Sequence, residues 1–77
     1  MKPRRIRALL VENGITHAEI ARTLDIKRQS VDSVIHGRTN SRRVSEEVAR
    51  RLNLPLDRVF PQYKDAARYA TLHVRQQ

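Results

Sequence analysis

Several residue types are absent or rare in this chain of 77 residues, and each absence excludes a class of structure. There is no cysteine, so disulfides cannot stabilise the fold and no Cys/His cluster can hold a structural metal. The longest apolar run has four residues, Ala8 to Val11, so we expect neither a transmembrane helix nor a signal peptide. A chain this short buries only about 60–65% of its unfolded surface. Its stability must therefore come from compact helix packing or from oligomerisation.

Acidic residues are the other scarce group. The chain has 16 Lys and Arg residues against 8 Asp and Glu, which gives a net charge of +8. Thirteen of the cations are arginine, whose planar guanidinium matches phosphate oxygens and the edge of guanine. This charge favours a polyanionic partner held by a salt-sensitive electrostatic attraction, although a basic surface can also serve solubility alone. The lack of cysteine fits a cytoplasmic protein.

Glycine and proline fall only where helices would begin or end. The chain contains Gly14, Gly37, Pro3, Pro55 and Pro61. Apolar spacing predicts five helices: from Pro3 to Gly14, from Thr16 to the turn at Asp25, from about Arg28 to His36, from about Val44 to Leu52, and from Pro55 to Phe60. The expected fold is therefore an all-α domain over residues 1–61, with short connections between its helices.

The same spacing predicts the core and the surface of these helices. We expect the inward residues to be Ile6, Leu9, Leu10, Ile20, Ala21, Leu24, Val31, Val34, Ile35, Val44, Val48, Ala49 and Leu52. On the outer face of the fourth helix, Glu46 is predicted to pair with Arg50 and Glu47 with Arg51. A polar, basic loop over residues 38–43 precedes this helix, and Asn53 suits a left-handed cap after it.

Residues 62–77 fit two patterns. Tyr63, Ala66 and Ala70 lie on one helical stripe, whereas Ala70, Leu72 and Val74 alternate with polar residues as in a strand. We favour a helix over residues 62–70 followed by a tail, and we expect this segment to serve dimerisation.

The connection between the predicted second and third helices is unusually short. Thr16 and Glu19 form a capping box at the start of the second helix. Ala21 supplies the small side chain that two steeply crossing helices need at closest approach, and only about three residues connect the helices. This arrangement predicts a helix-turn-helix, in which the third helix enters the major groove of double-stranded DNA.

The polar residues of the third helix are then candidates for DNA contact. Arg28 and Gln29 lie in its first turn, where arginine can pair with guanine and glutamine with adenine. Ser33 is a further candidate for a base contact, and Lys27 for a phosphate contact. Asp32 is repelled by phosphate, so it could only accept from cytosine or act against wrong sequences. The alternative for all of them is a solvated helix face.

The segment from Thr16 to Phe60 resembles the Cro and repressor-type helix-turn-helix family of temperate bacteriophages. The resemblance rests on Ala18-Glu19-Ile20-Ala21, Gln29-Ser30-Val31, Gly37-Arg38 and Val48-Ala49-x-x-Leu52-Asn53-Leu54. The ending Val59-Phe60-Pro61 before Tyr63 is similar to the phage Ner-type regulators. The resemblance implies a five-helix, lambda-repressor-like fold, a homodimer on a palindromic operator, and transcriptional repression. It implies base contacts by Arg28, Gln29 and Ser33, and phosphate contacts by His17, Arg38, Asn40, Arg42 and Arg43.

One residue departs from the pattern of that family. Asp25 stands at the turn position that is usually glycine, because the backbone there tends to be left-handed. Aspartate tolerates this region better than most residues, so we expect the turn to form at some cost in stability.

Other functions are less well supported by the sequence. The three histidines have no metal-ligand spacing, Glu46 and Glu47 point in different directions, and no phosphate-binding glycine loop occurs, so we expect no enzyme, metal or cofactor. An antitoxin whose residues 62–77 bind a toxin is an alternative, as is a non-specific architectural protein. The cations from Lys2 to Arg7 form either a DNA-contacting arm or a solvated helix face.

Overall fold

A computed structural model of the chain describes residues 1–64, and these form an all-α fold. Its helices are α1 (Pro3–Glu12), α2 (His17–Leu24), α3 (Arg28–Ile35), α4 (Arg42–Arg51) and α5 (Leu56–Val59). Within the described part of the chain, no helix has the length and apolar character needed to cross a bilayer. The predicted helix over residues 62–70 falls mostly outside the described residues.

The four longer helices all end in the same way. After each helix one residue has left-handed backbone dihedrals, and these residues are Gly14, Asp25, Gly37 and Asn53. The next residue then donates its amide to a carbonyl five positions back, for example Ile26 N–H to Ala21 O at 2.9 Å. This is the Schellman arrangement, which satisfies carbonyls left over at a helix end. The predicted stops at Gly14, Gly37 and Asn53, and the left-handed turn at Asp25, are confirmed.

Helix starts follow the capping residues. Pro3 lies in the first turn of α1, where the missing N–H of proline costs nothing. Thr16 caps α2, because its hydroxyl oxygen accepts from Glu19 N–H at 3.1 Å. In a full capping box the Glu19 carboxylate would accept from the backbone N–H of Thr16. Here Glu19 Oε1 accepts from the Thr16 hydroxyl instead, at 3.2 Å.

The core consists mainly of the predicted apolar stripes. Its buried members are Ile6, Leu10, Ile20, Ala21, Leu24, Val31, Val34, Ile35, Val44, Val48, Ala49, Val59 and Phe60. Leu9 and Leu52, both predicted to face inward, are only half-buried, and Leu52 packs against this cluster. Helices α2 and α3 pack on each other, and α4 packs against both of them.

Helix α4 begins two residues earlier than predicted. Ser41 is its cap, with the hydroxyl oxygen accepting from Val44 N–H at 3.3 Å. The basic loop is therefore shorter than residues 38–43, because Arg42 and Arg43 form the first helical turn. The prediction assigned these two arginines to the loop because they continue its polar, basic run, although cations are also unfavourable at a helix start.

The predicted ion pairs of α4 are also partly wrong. Glu47 is buried rather than on the outer face, and it binds both Arg50 and Arg51. Glu46 pairs with Arg42 at 3.7 Å instead of Arg50. Arg51 donates to Glu47 Oε2 at 2.7 Å and to Thr23 Oγ1 at 2.6 Å, so it connects the end of α4 to α2.

We expect the substitution Asp25→Gly to be neutral or to stabilise the fold by up to about 1 kcal/mol. Asp25 has φ 57° and ψ 49°, a conformation that costs an L-residue about 1–2 kcal/mol and glycine almost nothing. Part of that gain is offset by the greater freedom of glycine in the unfolded chain. Thermal and urea unfolding would measure the change, with Asp25→Ala as a destabilising control. A large loss of stability in Asp25→Gly would contradict this interpretation of the turn.

Candidate nucleic-acid interface

The turn between α2 and α3 fixes how the third helix is presented. Helices α2 and α3 pack on each other through buried apolar side chains. These are Ile20, Ala21 and Leu24 of α2 and Val31 of α3. Ala21 is only 4% exposed, which is expected for the small residue at a close crossing. The polar side of α3 remains at the surface, with Lys27, Arg28 and Gln29 exposed.

The predicted base-contacting residues lie on two flanks of α3. Arg28 and Asp32 border an open depression that also includes Thr16, His17 and Ala18 at the start of α2. Gln29 and Ser33 border a second depression, which the neighbouring loop and α4 complete with Thr39, Ser41 and Arg43. The exposed surface of α3 therefore lies between two polar walls, one from α2 and one from residues 39–43.

His17 and Asp32 make the direct polar contact between α2 and α3. The Nδ1 atom of His17 faces Asp32 Oδ1 at hydrogen-bonding distance. The His17 side chain is 21% exposed and that of Asp32 is 41% exposed. The sequence analysis treated these residues separately, as a phosphate contact and as a repulsive group. No periodicity could pair them, because the contact depends on the angle at which the helices cross.

The loop after α3 carries two of the predicted phosphate contacts. Gly37 has φ 77°, and Arg38 N–H donates to Ser33 O at 2.8 Å, so the chain turns sharply there. Arg38 and Asn40 are both exposed. The amide of Gln62 donates to Asn40 Oδ1 at 3.4 Å. Arg38 and Asn40 are therefore exposed in the segment that directly follows α3.

Arg42 and Arg43, also predicted to bind phosphate, have partners within the domain. Arg43 Nη2 donates to Leu24 O at 2.8 Å, the carbonyl at the end of α2. Arg42 pairs with Glu46, and its guanidinium lies 5.9 Å from the centre of the Tyr63 ring, within the range of a cation–π interaction. Sequence reasoning missed the contacts of Arg43 with Leu24 and of Arg42 with Tyr63, because each joins segments that are distant along the chain.

A second basic surface lies on α1. Because α1 begins at Pro3, the cations Arg4, Arg5 and Arg7 are on a helix rather than on an extended arm. All three are exposed, and within residues 1–64 none of them has an ion-pair partner. The structure therefore places these residues on an exposed helix face.

The described residues do not form a metal-ligand cluster. Among residues 1–64, no three His, Cys, Asp or Glu side chains come together as ligands would.

Glu47 is the carboxylate with the strongest local partners. Its hydrogen bonds to Arg50, at 2.6 Å, and to Arg51 lower the pKa of this carboxyl against the opposing effect of burial. These contacts are structural, since Glu47 is 9% exposed.

Comparison of the chain with family models, with curated proteins and with solved structures found no match.

Proposed function

We propose that this protein is a sequence-specific, double-stranded DNA-binding transcriptional regulator of the phage or prophage repressor type, acting as a homodimer in the cytoplasm. The observation that carries the proposal is the packing of α2 on α3 through a left-handed turn at Asp25. This packing leaves the polar side of an eight-residue helix exposed between two polar walls. A helix presented in this way suits a major groove about 12 Å wide.

The charge distribution supports the same proposal. Lys27 and Arg28 are exposed at the start of α3, and Arg38 is exposed just beyond its end. Lys27 and Arg38 would approach the two phosphate backbones that border the groove, while Arg28, Gln29 and Ser33 face its floor. Phosphate contacts fix the position of such a helix, and contacts to base edges supply sequence preference.

The dimer follows from the geometry of a single recognition helix. One helix covers only a few base pairs, so two subunits on one face of the duplex would read half-sites about 10–10.5 bp apart. We propose that the dimer contacts come from the region after Leu52, including residues 62–77.

Selection of bound duplexes from a random library tests the function directly. We expect a two-fold symmetric consensus whose half-sites lie one helical turn apart. The salt dependence of binding should be strong for the selected site and for random DNA alike. Recovery of unselected sequences would contradict specific recognition and favour an architectural role, and recovery of no DNA would contradict the proposal altogether.

Truncation after Lys64 tests the role of the remaining residues. A cut at Pro61 would remove Tyr63, which packs against the core and whose hydroxyl lies 3.4 Å from buried Ser45. The cut after Lys64 keeps these contacts. If residues 65–77 serve dimerisation, operator affinity should fall by about tenfold or more, because two linked half-sites bind more tightly than separate ones. Sedimentation and gel-shift titration would measure both effects, and unchanged operator binding would favour a partner-binding tail.

A further inference from the structure

The contact between His17 and Asp32 joins the positioning helix to the recognition helix at the surface proposed to face DNA. His17 is the first residue of α2, and Asp32 lies in the middle of α3. Nδ1 of the imidazole is committed to the carboxylate. Within residues 1–64 nothing hydrogen-bonds Nε2, and no unpartnered polar side-chain atom there is buried. Nε2 therefore reaches solvent on the side of the ring away from Asp32.

A carboxylate at one ring nitrogen determines what the other nitrogen can do. In a neutral imidazole only one nitrogen carries a proton, and a carboxylate partner holds that proton on the near side. The far nitrogen is then an acceptor and cannot donate to a phosphate. When the ring is protonated, both nitrogens donate, and the far one becomes a charged donor.

We propose that Asp32 is a positioning residue, which orients His17 so that protonated Nε2–H donates to a DNA phosphate and couples operator binding to proton uptake. This inference rests on the proposed function, because it needs DNA against this face. It also explains an acid on the recognition helix. With His17 protonated the pair is electrically neutral, whereas with His17 neutral it carries a negative charge that repels the phosphate backbone.

Charged groups from both helices surround the pair. From α3, the Asp32 carboxylate contacts the ring, and Arg28 borders the same depression. From α2, Glu19 lies two residues from His17, but its carboxylate interacts with Thr16 and Arg51. His36 also binds Asp32, but through the backbone carbonyl of that residue, with Nδ1 at 2.9 Å. His36 is therefore a second titratable ring that the carboxylate does not orient.

The test is the pH dependence of affinity for the selected operator, measured by fluorescence anisotropy between pH 5.5 and 8 at fixed salt. We expect wild-type affinity to fall by about tenfold per half-site across this range, which corresponds to an average uptake of about 0.4 proton per subunit. His17→Gln should bind with a flat pH profile, because an amide donates at every pH. Asp32→Asn should make the fall in affinity smaller, because the ring is no longer held by a carboxylate in the orientation that presents Nε2 to phosphate. His36→Gln is the matched control and should keep the wild-type profile.

A second measurement needs no variant. The protonated fraction of the His17 ring, followed by NMR at pH 7, should rise when operator is added, and that of His36 should not. Coincident pH profiles for wild type and His17→Gln on the same operator, or an unchanged His17 ring on DNA binding, would overturn the inference and leave the proposed function standing. Absence of specific binding at every pH would overturn the proposed function, and this inference with it.

Discussion

Replacement of Arg28 or Gln29 with alanine is expected to weaken binding to the selected operator by about 1–3 kcal/mol and to leave binding to unrelated duplexes nearly unchanged. Both side chains are exposed in the first turn of α3, on opposite flanks of the helix. Loss of a bidentate contact to a base removes discrimination at one position of each half-site. Competition titrations with operator and scrambled duplexes would measure the specificity ratio.

Arg38→Ala is the matched control for this prediction. Arg38 is exposed in the loop after α3 and is proposed to contact phosphate, which carries no sequence information. Its loss should weaken binding to all duplexes by a similar factor and leave the preferred sequence unchanged. If Arg28→Ala and Gln29→Ala also weakened every duplex equally, the third helix would not select sequence, and an architectural role would be the better explanation.

Glu47→Gln is expected to destabilise the fold by about 2 kcal/mol, a large share of the stability of so small a domain. Glu47 is buried, and its oxygens accept from Arg50 and Arg51. An amide in its place would present N–H groups to guanidinium donors. Arg51 would then lose its strongest partner, and with it part of the connection from α4 to α2. Urea unfolding at pH 7 would measure the loss.

The pH dependence of this effect has a definite sign. Because the pKa of the Glu47 carboxyl is lowered in the folded protein, its contribution is fully present above the ordinary carboxyl range. The contribution is lost as the pH falls through the lowered pKa, so wild type and Glu47→Gln should converge in stability at acidic pH. Glu46→Gln is the control, since Glu46 is 57% exposed and 3.7 Å from Arg42, and it should cost only a few tenths of a kcal/mol. A difference between wild type and Glu47→Gln that did not change with pH would contradict this account.

Local signals in the sequence were sufficient to predict most of the fold. Apolar spacing identified the buried faces of α2 and α3, since Ile20, Leu24 and Val34 are all buried as expected. Left-handed terminators identified the helix ends, including the two that are not glycine, Asp25 and Asn53. Both kinds of signal act within about five residues along the chain, where sequence and structure are most directly related.

The errors came from charged residues, whose environment depends on distant segments. Glu47 was predicted to lie on the outer face because its spacing from Arg51 suits an ion pair, although it lies three residues after Val44 and one before Val48, on the buried side of α4. The start of α4 was placed too late because residues 38–43 form a continuous polar, basic run that was assigned to a loop, although Ser41 carried the capping signal. The pairing of His17 with Asp32 required the crossing angle of α2 and α3, which no periodic pattern contains.

The hydrogen bond from Arg43 to the last carbonyl of α2 affects how many counterions Arg43 would release from DNA at the proposed interface. A helix end carries roughly half a negative charge, so this guanidinium is already partly compensated before DNA arrives. Each phosphate neutralised by a protein cation releases about 0.9 condensed counterion from a duplex. Arg43 would release fewer counterions than Lys27 or Arg38, which within residues 1–64 have no acidic partner. The arginine that joins α4 to the end of α2 would thus contribute less than Lys27 or Arg38 to the proposed binding of DNA.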